Sequence, residues 1–170
     1  MGEPKLYFFI GYPGAGKTTV SKFIAKATGA THLWADLERH KLFESPTHTE
    51  EESLQLYNRL NKQAEDLLAT GRSVVYDTNF NFYSDRQKMR DIAARRGAEA
   101  VLIWINVPKE AAKKRAVNVR DSRNGYMISM TEEEFETIAA KLEPPKEDEK
   151  FIKINGLKLD RQEVLRLLSL

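Results

Sequence analysis

A short apolar run, "KLYFFI" (residues 5–10), is followed by "GYPGAG" and then by "KTTVSKFIAKAT" (residues 17–28), whose Val20, Phe23, Ile24 and Ala27 recur at helical spacing. This order constrains the fold more than any other feature. Gly11-x-x-x-x-Gly16-Lys17-Thr18 fits the phosphate-binding loop, and here it follows a predicted strand and opens a predicted helix. Glycines let the backbone take positive φ and turn its N–H groups inward, making a concave anion site. The helix that starts near Lys17 points its positive end at the same place. Lys17 supplies a mobile cation for the β and γ phosphates of a nucleoside triphosphate, and the Thr18 hydroxyl is positioned for Mg²⁺. Gly11, Tyr12, Pro13, Gly14, Ala15, Gly16, Lys17, Thr18 and Thr19 are therefore the expected nucleotide-binding residues.

The rest of the chain repeats the strand-then-helix alternation. "THLWAD" (residues 31–36) reads as a second strand and "DLERHKLF" as a short helix. Thr49 and Glu52 have capping-box spacing ahead of a helix to Thr70. "SVVYD" (73–77) is a third strand, Ser84–Arg96 a helix ending at Gly97, and "EAVLIWINV" (99–107) a fourth, continuously apolar strand. Pro108 opens a helix to about Val119, "RDSRNGYMIS" is irregular, and Thr131 opens another helix. "FIKI" (151–154) is a fifth strand and Asp160–Leu168 a closing helix. Such alternation implies α/β architecture: a parallel five-stranded sheet with helices on both faces, in a single domain over residues 1–170.

The 170 residues suit one domain with a substantial core, and 41% hydrophobic with 31% charged content is ordinary for a globular protein. No apolar run approaches the roughly 20 residues a membrane helix needs. The first residues lack a signal-peptide layout, so cytoplasm is the expected location. The absence of cysteine removes disulfides, thiolate metal sites and a cysteine nucleophile. A near balance of 27 basic and 25 acidic residues does not announce a nucleic-acid binder. No obligate protein partner is evident.

Three classes of triphosphate user are separable by what accompanies the loop. Hydrolytic ATPases follow the aspartate of a later strand with a glutamate that activates water, but here Thr78 follows Asp77. Asp77 remains suited to the Mg²⁺ shell. A GTPase wants Asn-Lys-x-Asp after a strand, and "NKQA" (61–64) lacks the aspartate and lies within a helix. A phosphotransferase needs a base for the acceptor hydroxyl, a group that holds the acceptor, and mobile cations over the phosphates. Asp36 is placed at the end of the second strand, with Arg39 three residues on and on the same helix face. The pair suits base and acceptor holder, or else a helix N-cap beside a surface arginine. A lid over about residues 115–130 would carry Arg115, Arg120 and Arg123, while Lys113 and Lys114 read as a solvated face. His32, His40 and His48 show no metal spacing and no carboxylate partner. Phe80, Phe82, Tyr83 and Trp34 read as core or pocket lining.

"GYPGAGKTT", "ADLER", "GRSVVYDTNFNFYSDR" and "KLEPPKEDEKFIKI" together resemble the P-loop kinases related to polynucleotide 5′-hydroxyl kinase, a group that includes chloramphenicol phosphotransferase and zeta-toxin type kinases. The resemblance runs through most of the chain in the family's order. It implies a three-layer P-loop NTPase fold of the kinase type with a small lid. It also implies ATP and Mg²⁺ as cofactors and γ-phosphoryl transfer to a hydroxyl of a small molecule, nucleoside or polynucleotide 5′ end. By that resemblance Asp36 matches the general base and Arg39 a contact to the acceptor phosphate. Asp77 matches a further active-site acid, the lid arginines bind ATP phosphates, and "EPPKEDE" borders the adenine. Arg115 and Arg120 stand one residue further apart than the family's lid pair, leaving open which of them touches phosphate. A nucleotide-gated binding switch with no acceptor is the rival reading, and it leaves Asp36 and Arg39 without a purpose.

Overall fold

The computed structural model of the protein describes residues 2–118 and 129–170. Among them the chain runs β1 (Lys5–Ile10), α1 (Lys17–Thr28), β2 (Thr31–Trp34), α2 (Ala35–Leu42), α3 (Glu50–Ala69) and β3 (Val74–Asp77). It continues through α4 (Tyr83–Arg95), β4 (Glu99–Asn106), α5 (Lys109–Ala116), α6 (Glu132–Ala139), β5 (Ile152–Asn155) and α7 (Arg161–Leu167). Parallel neighbours cannot be joined by a tight hairpin, so each connection must cross the sheet. All four pairings are parallel, in the order β2-β3-β1-β4-β5.

Alternation along β1 divides the core in two. Leu6, Phe8 and Ile10 face Leu56 and Leu60 of α3 and Met89 and Ile92 of α4. Tyr7 and Phe9 face the opposite layer, with Val20 and Ile24 of α1, Phe135 of α6 and Val164 of α7. Burial on both faces is why this strand reads as a continuous apolar run instead of an alternating one. Because β1 is central, the chain leaves it toward β2 and β3 on one side and later fills β4 and β5 on the other. The carboxyl ends of β1 and β3 therefore meet where the strand order reverses, the position at which open parallel sheets hold ligands.

Two element boundaries differ from expectation. The second strand ends at Trp34, the last residue of β2 paired with β3 (opposite Asp77), so Asp36 lies in the first turn of α2. The helix after Pro108 stops at Ala116, where Val117 turns extended and bridges Met130. Asn118 N–H donates to the Met130 carbonyl at 3.2 Å. The expected lid lies mostly outside the described residues.

Candidate active site

Two of the three loop glycines occupy the left-handed region, Gly14 at φ +80° and Gly16 at φ +115° as the N-cap of α1. A Cβ at Gly14 would sit 2.4 Å from the Ala112 carbonyl oxygen, and one at Gly16 2.6 Å from Leu159 Cδ1. Gly11 has no positive φ; a side chain there would press on the Ile105 carbonyl oxygen at 3.0 Å. Ala15 is fully buried, and Tyr12 packs against Phe135 with ring centroids 6.3 Å apart. The Lys17 ammonium folds back to donate to the carbonyls of Gly11 (3.1 Å) and Tyr12 (2.7 Å). Burial pushes Lys17 down to about 8, against the pull of the Asp77 and Asp36 carboxylates. Thr18 and Thr19, half-buried, belong to the first turn of α1, whose amides have no carbonyl four residues back to bond. First-turn amides with a lysine ammonium beside them are an arrangement suited to an anion.

Asp77, 4% exposed, closes β3. His32 on the neighbouring β2 places Nε2 2.9 Å from Asp77 Oδ2 and stacks on Trp34, with ring planes 5° apart. The expectation that no histidine has a carboxylate partner is thus wrong for His32. Their contact is created by β2–β3 pairing across 45 residues of sequence. Trp34 itself is core, as read.

On the acceptor side, Asp36 is the second residue of α2, whose N-cap Trp34 makes no side-chain cap. The N-cap alternative for Asp36 is therefore removed. Asp36 is exposed, and loss of hydration with the like charge of Asp77 pushes its carboxyl above the ordinary carboxylate range, while Lys17, Arg39 and His48 pull it down. One turn on, buried Arg39 donates Nη1 to Glu52 Oε1 at 2.5 Å and Nη2 to Ser53 Oγ at 3.2 Å. Glu52 also accepts from the Thr47 N–H (2.7 Å), the Thr47 hydroxyl (3.0 Å) and the N–H of His48 (3.2 Å). Thr49 caps α3 as its spacing with Glu52 implies, but the Glu52 carboxylate goes to Arg39 instead of completing a capping box. The Tyr57 hydroxyl meets the Thr78 hydroxyl at 2.9 Å; burial first, then the nearby Asp36 carboxylate, raise the phenol.

Arg115 donates to the carbonyls of Gly156 (2.8 Å), Gly14 (3.5 Å) and Leu157 (3.4 Å), tying the glycine loop to the turn between β5 and α7. Arg120 and Arg123 lie outside the described residues. Lys113 bonds Glu132 and Glu136 of α6, which is a structural role. Phe80 is core against Phe8 and Tyr76, whereas Phe82 is exposed. The "EPPKEDE" segment contacts Tyr83, Arg86 and Arg90: the Tyr83 hydroxyl donates to Asp148, and Glu149 bonds both arginines.

The sequence matches the AAA_33 family, an AAA domain, over residues 6–145. The chain belongs to that family. No curated protein matches it. Among solved structures, this AAA_33 domain is similar to a Janibacter sugar kinase (18% identity, 98% of this chain and 95% of that one, TM-score 0.70). It is similar to the Mycobacterium tuberculosis APS kinase in complex with AMPPNP and APS (19% identity, all of both chains, TM-score 0.70). A Sinorhizobium meliloti gluconokinase is also similar (19% identity, 97% and 89% covered, TM-score 0.67). At these identities the likeness shows the fold, that of P-loop kinases. The resemblance to kinases read from the sequence holds at this level, and the particular subfamilies named there are not distinguished.

Several residues of this AAA_33 domain make contacts that the sequence reading did not assign to them. Asn81 Oδ1 accepts from the Gly11 N–H at 3.3 Å, and fully buried Arg86 holds the carbonyls of Phe80 and Asn81 at 3.0 and 3.1 Å. Glu52, read only as the capping partner of Thr49, pairs with Arg39, and Tyr57 and His48 lie near Asp36. The buried charges of Arg86 and Glu52 mark them, and burial is a tertiary property. For a divalent cation, no cluster of three or more His, Cys, Asp or Glu residues is poised among the described residues. Mg²⁺ needs no such cage, since it keeps waters and phosphate oxygens as ligands. A hydroxyl at Thr18 and a buried carboxylate at Asp77 are the hard oxygen donors it takes.

Proposed function

We propose that this protein is an ATP- and Mg²⁺-dependent kinase that transfers the γ-phosphoryl group to a hydroxyl of an acceptor molecule. One observation carries the reading: Lys17 in the first turn of α1, Asp36 in the first turn of α2 and Asp77 at the end of β3 stand just beyond or at the carboxyl ends of three adjacent parallel strands, β1, β2 and β3. The structural neighbours, a sugar kinase, an APS kinase and a gluconokinase, support the same class.

In this scheme the amides and Lys17 of the Gly11–Thr19 loop bind the β and γ phosphates. Thr18 and Asp77 would hold the metal, which neutralises charge on the phosphates. Asp36, ionised, accepts the proton of the acceptor hydroxyl as its oxygen bonds the γ phosphorus; the bond from that phosphorus to the β–γ bridging oxygen breaks and ADP departs. Arg39 holds the acceptor. Arg115 positions the loop through the Gly14 carbonyl, and a phosphate contact from Arg115 or Arg120 completes the scheme. His32 orients Asp77 in the manner of an outer-shell partner. The domain acts as one unit, without an obligate protein partner, in the cytoplasm. Among the described residues no helix is long and apolar enough to cross a membrane.

Lys17→Ala loses ATP binding by titration calorimetry, whereas Asp36→Ala keeps it and loses transfer. Transfer is read as the mass of one phosphoryl group on members of an acceptor panel. Full transfer by Asp36→Ala removes the base assignment. ATP binding or hydrolysis indifferent to both Asp36 and Arg39, with no acceptor modified, is the behaviour of a nucleotide switch and removes the kinase reading.

A further inference from the structure

We infer that the acceptor subsite takes an uncharged hydroxyl compound, such as a neutral sugar or nucleoside, and that Glu52 sets this choice; the inference rests on the kinase reading above. The guanidinium of Arg39 is the one side chain on the acceptor side that sequence reasoning would give to an anion. Its charge is already matched. Arg39 and Glu52 side chains are each 7% exposed and form an ion pair. Glu52 cannot swing aside to release it, because the same carboxylate accepts from the Thr47 N–H, the Thr47 hydroxyl and the His48 N–H. Nη2 of Arg39 is engaged as well, by Ser53. A bidentate grip on phosphate or carboxylate needs a guanidinium whose paired N–H groups and whose charge are both unspent.

The surroundings point the same way. Asp36 and Asp77 bring negative charge to the cleft, and Lys17, which offsets it, is bonded to the Gly11 and Tyr12 carbonyls of the phosphate loop. A second anion brought beside Asp36 and the triphosphate meets like charge. Among the described residues, the hydroxyls of Tyr57 and Thr78, in contact with each other at 2.9 Å, and of Ser53 lie along this wall, with the imidazole of His48 near Asp36. Hydroxyls and a neutralised guanidinium are the donors and acceptors that read sugar or nucleoside hydroxyls. A polynucleotide 5′ end, carrying phosphate on the first nucleotide, fits this wall poorly.

Matched acceptors that differ by one anionic group test this with the intact protein, ATP and Mg²⁺: nucleosides against their 3′-monophosphates, and hexoses against the corresponding uronic acids. The neutral member of each accepted pair should show kcat/KM higher by about tenfold or more, from the like-charge cost. In Glu52→Gln the charge of Arg39 is released, and the preference should move toward the anionic member by about tenfold or more. Should Glu52→Gln not fold, Thr47→Val carries the test: it removes a hydroxyl that holds Glu52 in place and should move the preference toward the anionic member by about threefold or more. Preference of the native protein for anionic members overturns the inference alone. So does a folded Glu52→Gln, or in its place a folded Thr47→Val, with unchanged preference. Failure to phosphorylate any member while ATP binds removes the kinase reading and this inference with it.

Discussion

Gly14 shows how little room the loop has. With φ at +80° and a notional Cβ 2.4 Å from the Ala112 carbonyl, Gly14→Ala must both strain the backbone and push α5 away. The expected cost is about 1–3 kcal/mol of stability, with ATP affinity reduced at least ~10-fold because the amides no longer converge. Urea unfolding and titration calorimetry check the two parts; native values in both would mean that the loop has space. Asp36 supports a prediction in pH. A base works only when ionised, and loss of hydration plus the charge of Asp77 raise its carboxyl. The acid limb of kcat/KM should therefore lie above the ordinary carboxylate range, activity rising with pH through the raised value. Asp36→Asn should abolish that limb together with the activity. The strand–glycine loop–helix order at Gly11–Thr19 was legible from sequence, because its glycines and lysine stand in a fixed local order. Glu52 was not, since nothing local tells a capping glutamate from one turned back onto Arg39 thirteen residues earlier.

At the scale of elements, α4 and the segment before β5 are joined by one buried cluster. Arg86 and Glu149 side chains are 0% and 1% exposed, with bonds of 2.8 and 2.9 Å, and Arg90 adds a further bond to Glu149. Removing one partner strands a buried charge, so Glu149→Gln should destabilise by about 3–5 kcal/mol, and Arg86→Leu/Glu149→Leu by less. Burial would raise Glu149, but the bonds from Arg86, the Lys146 N–H and Arg90 overcome it and hold the carboxyl down to about 2, from an ordinary 4.5. A depressed carboxylate contributes fully above its unfolded value, and that contribution is lost as pH falls from about 4.5 toward 2. Urea midpoints at neutral and acid pH should therefore converge for the native protein and Glu149→Gln; a constant gap would contradict the assignment. Because Arg86 also holds the carbonyls of Phe80 and Asn81, and Asn81 meets Gly11, this cluster steadies the phosphate loop from behind. Helix starts such as Thr131 and Asp160 were legible, since a cap is a contact with a residue three positions away. The early end of β2 was not, because a strand stops where its partner stops.

For the whole molecule, the reversal of strand order around β1 collects the site from elements far apart in sequence. A ligand that binds only the assembled arrangement should stabilise it: ATP with Mg²⁺ at a hundredfold excess over its Kd should add about 2.7 kcal/mol. For a chain of this size that is on the order of 5–10 °C in Tm. Lys17→Ala should show no such shift by scanning calorimetry, and an equal shift would place the nucleotide elsewhere. The α/β class, the parallel sheet and the phosphate loop were determined by the sequence alone, because each depends on short-range pattern: apolar runs, helical spacing, and glycines ahead of a lysine. Only the tertiary structure decided that Glu52 matches the charge of Arg39, that His32 meets Asp77, and that Arg115 ties the loop to the Gly156 turn. Those pairings come from strand order and helix docking, which join residues that no local spacing connects.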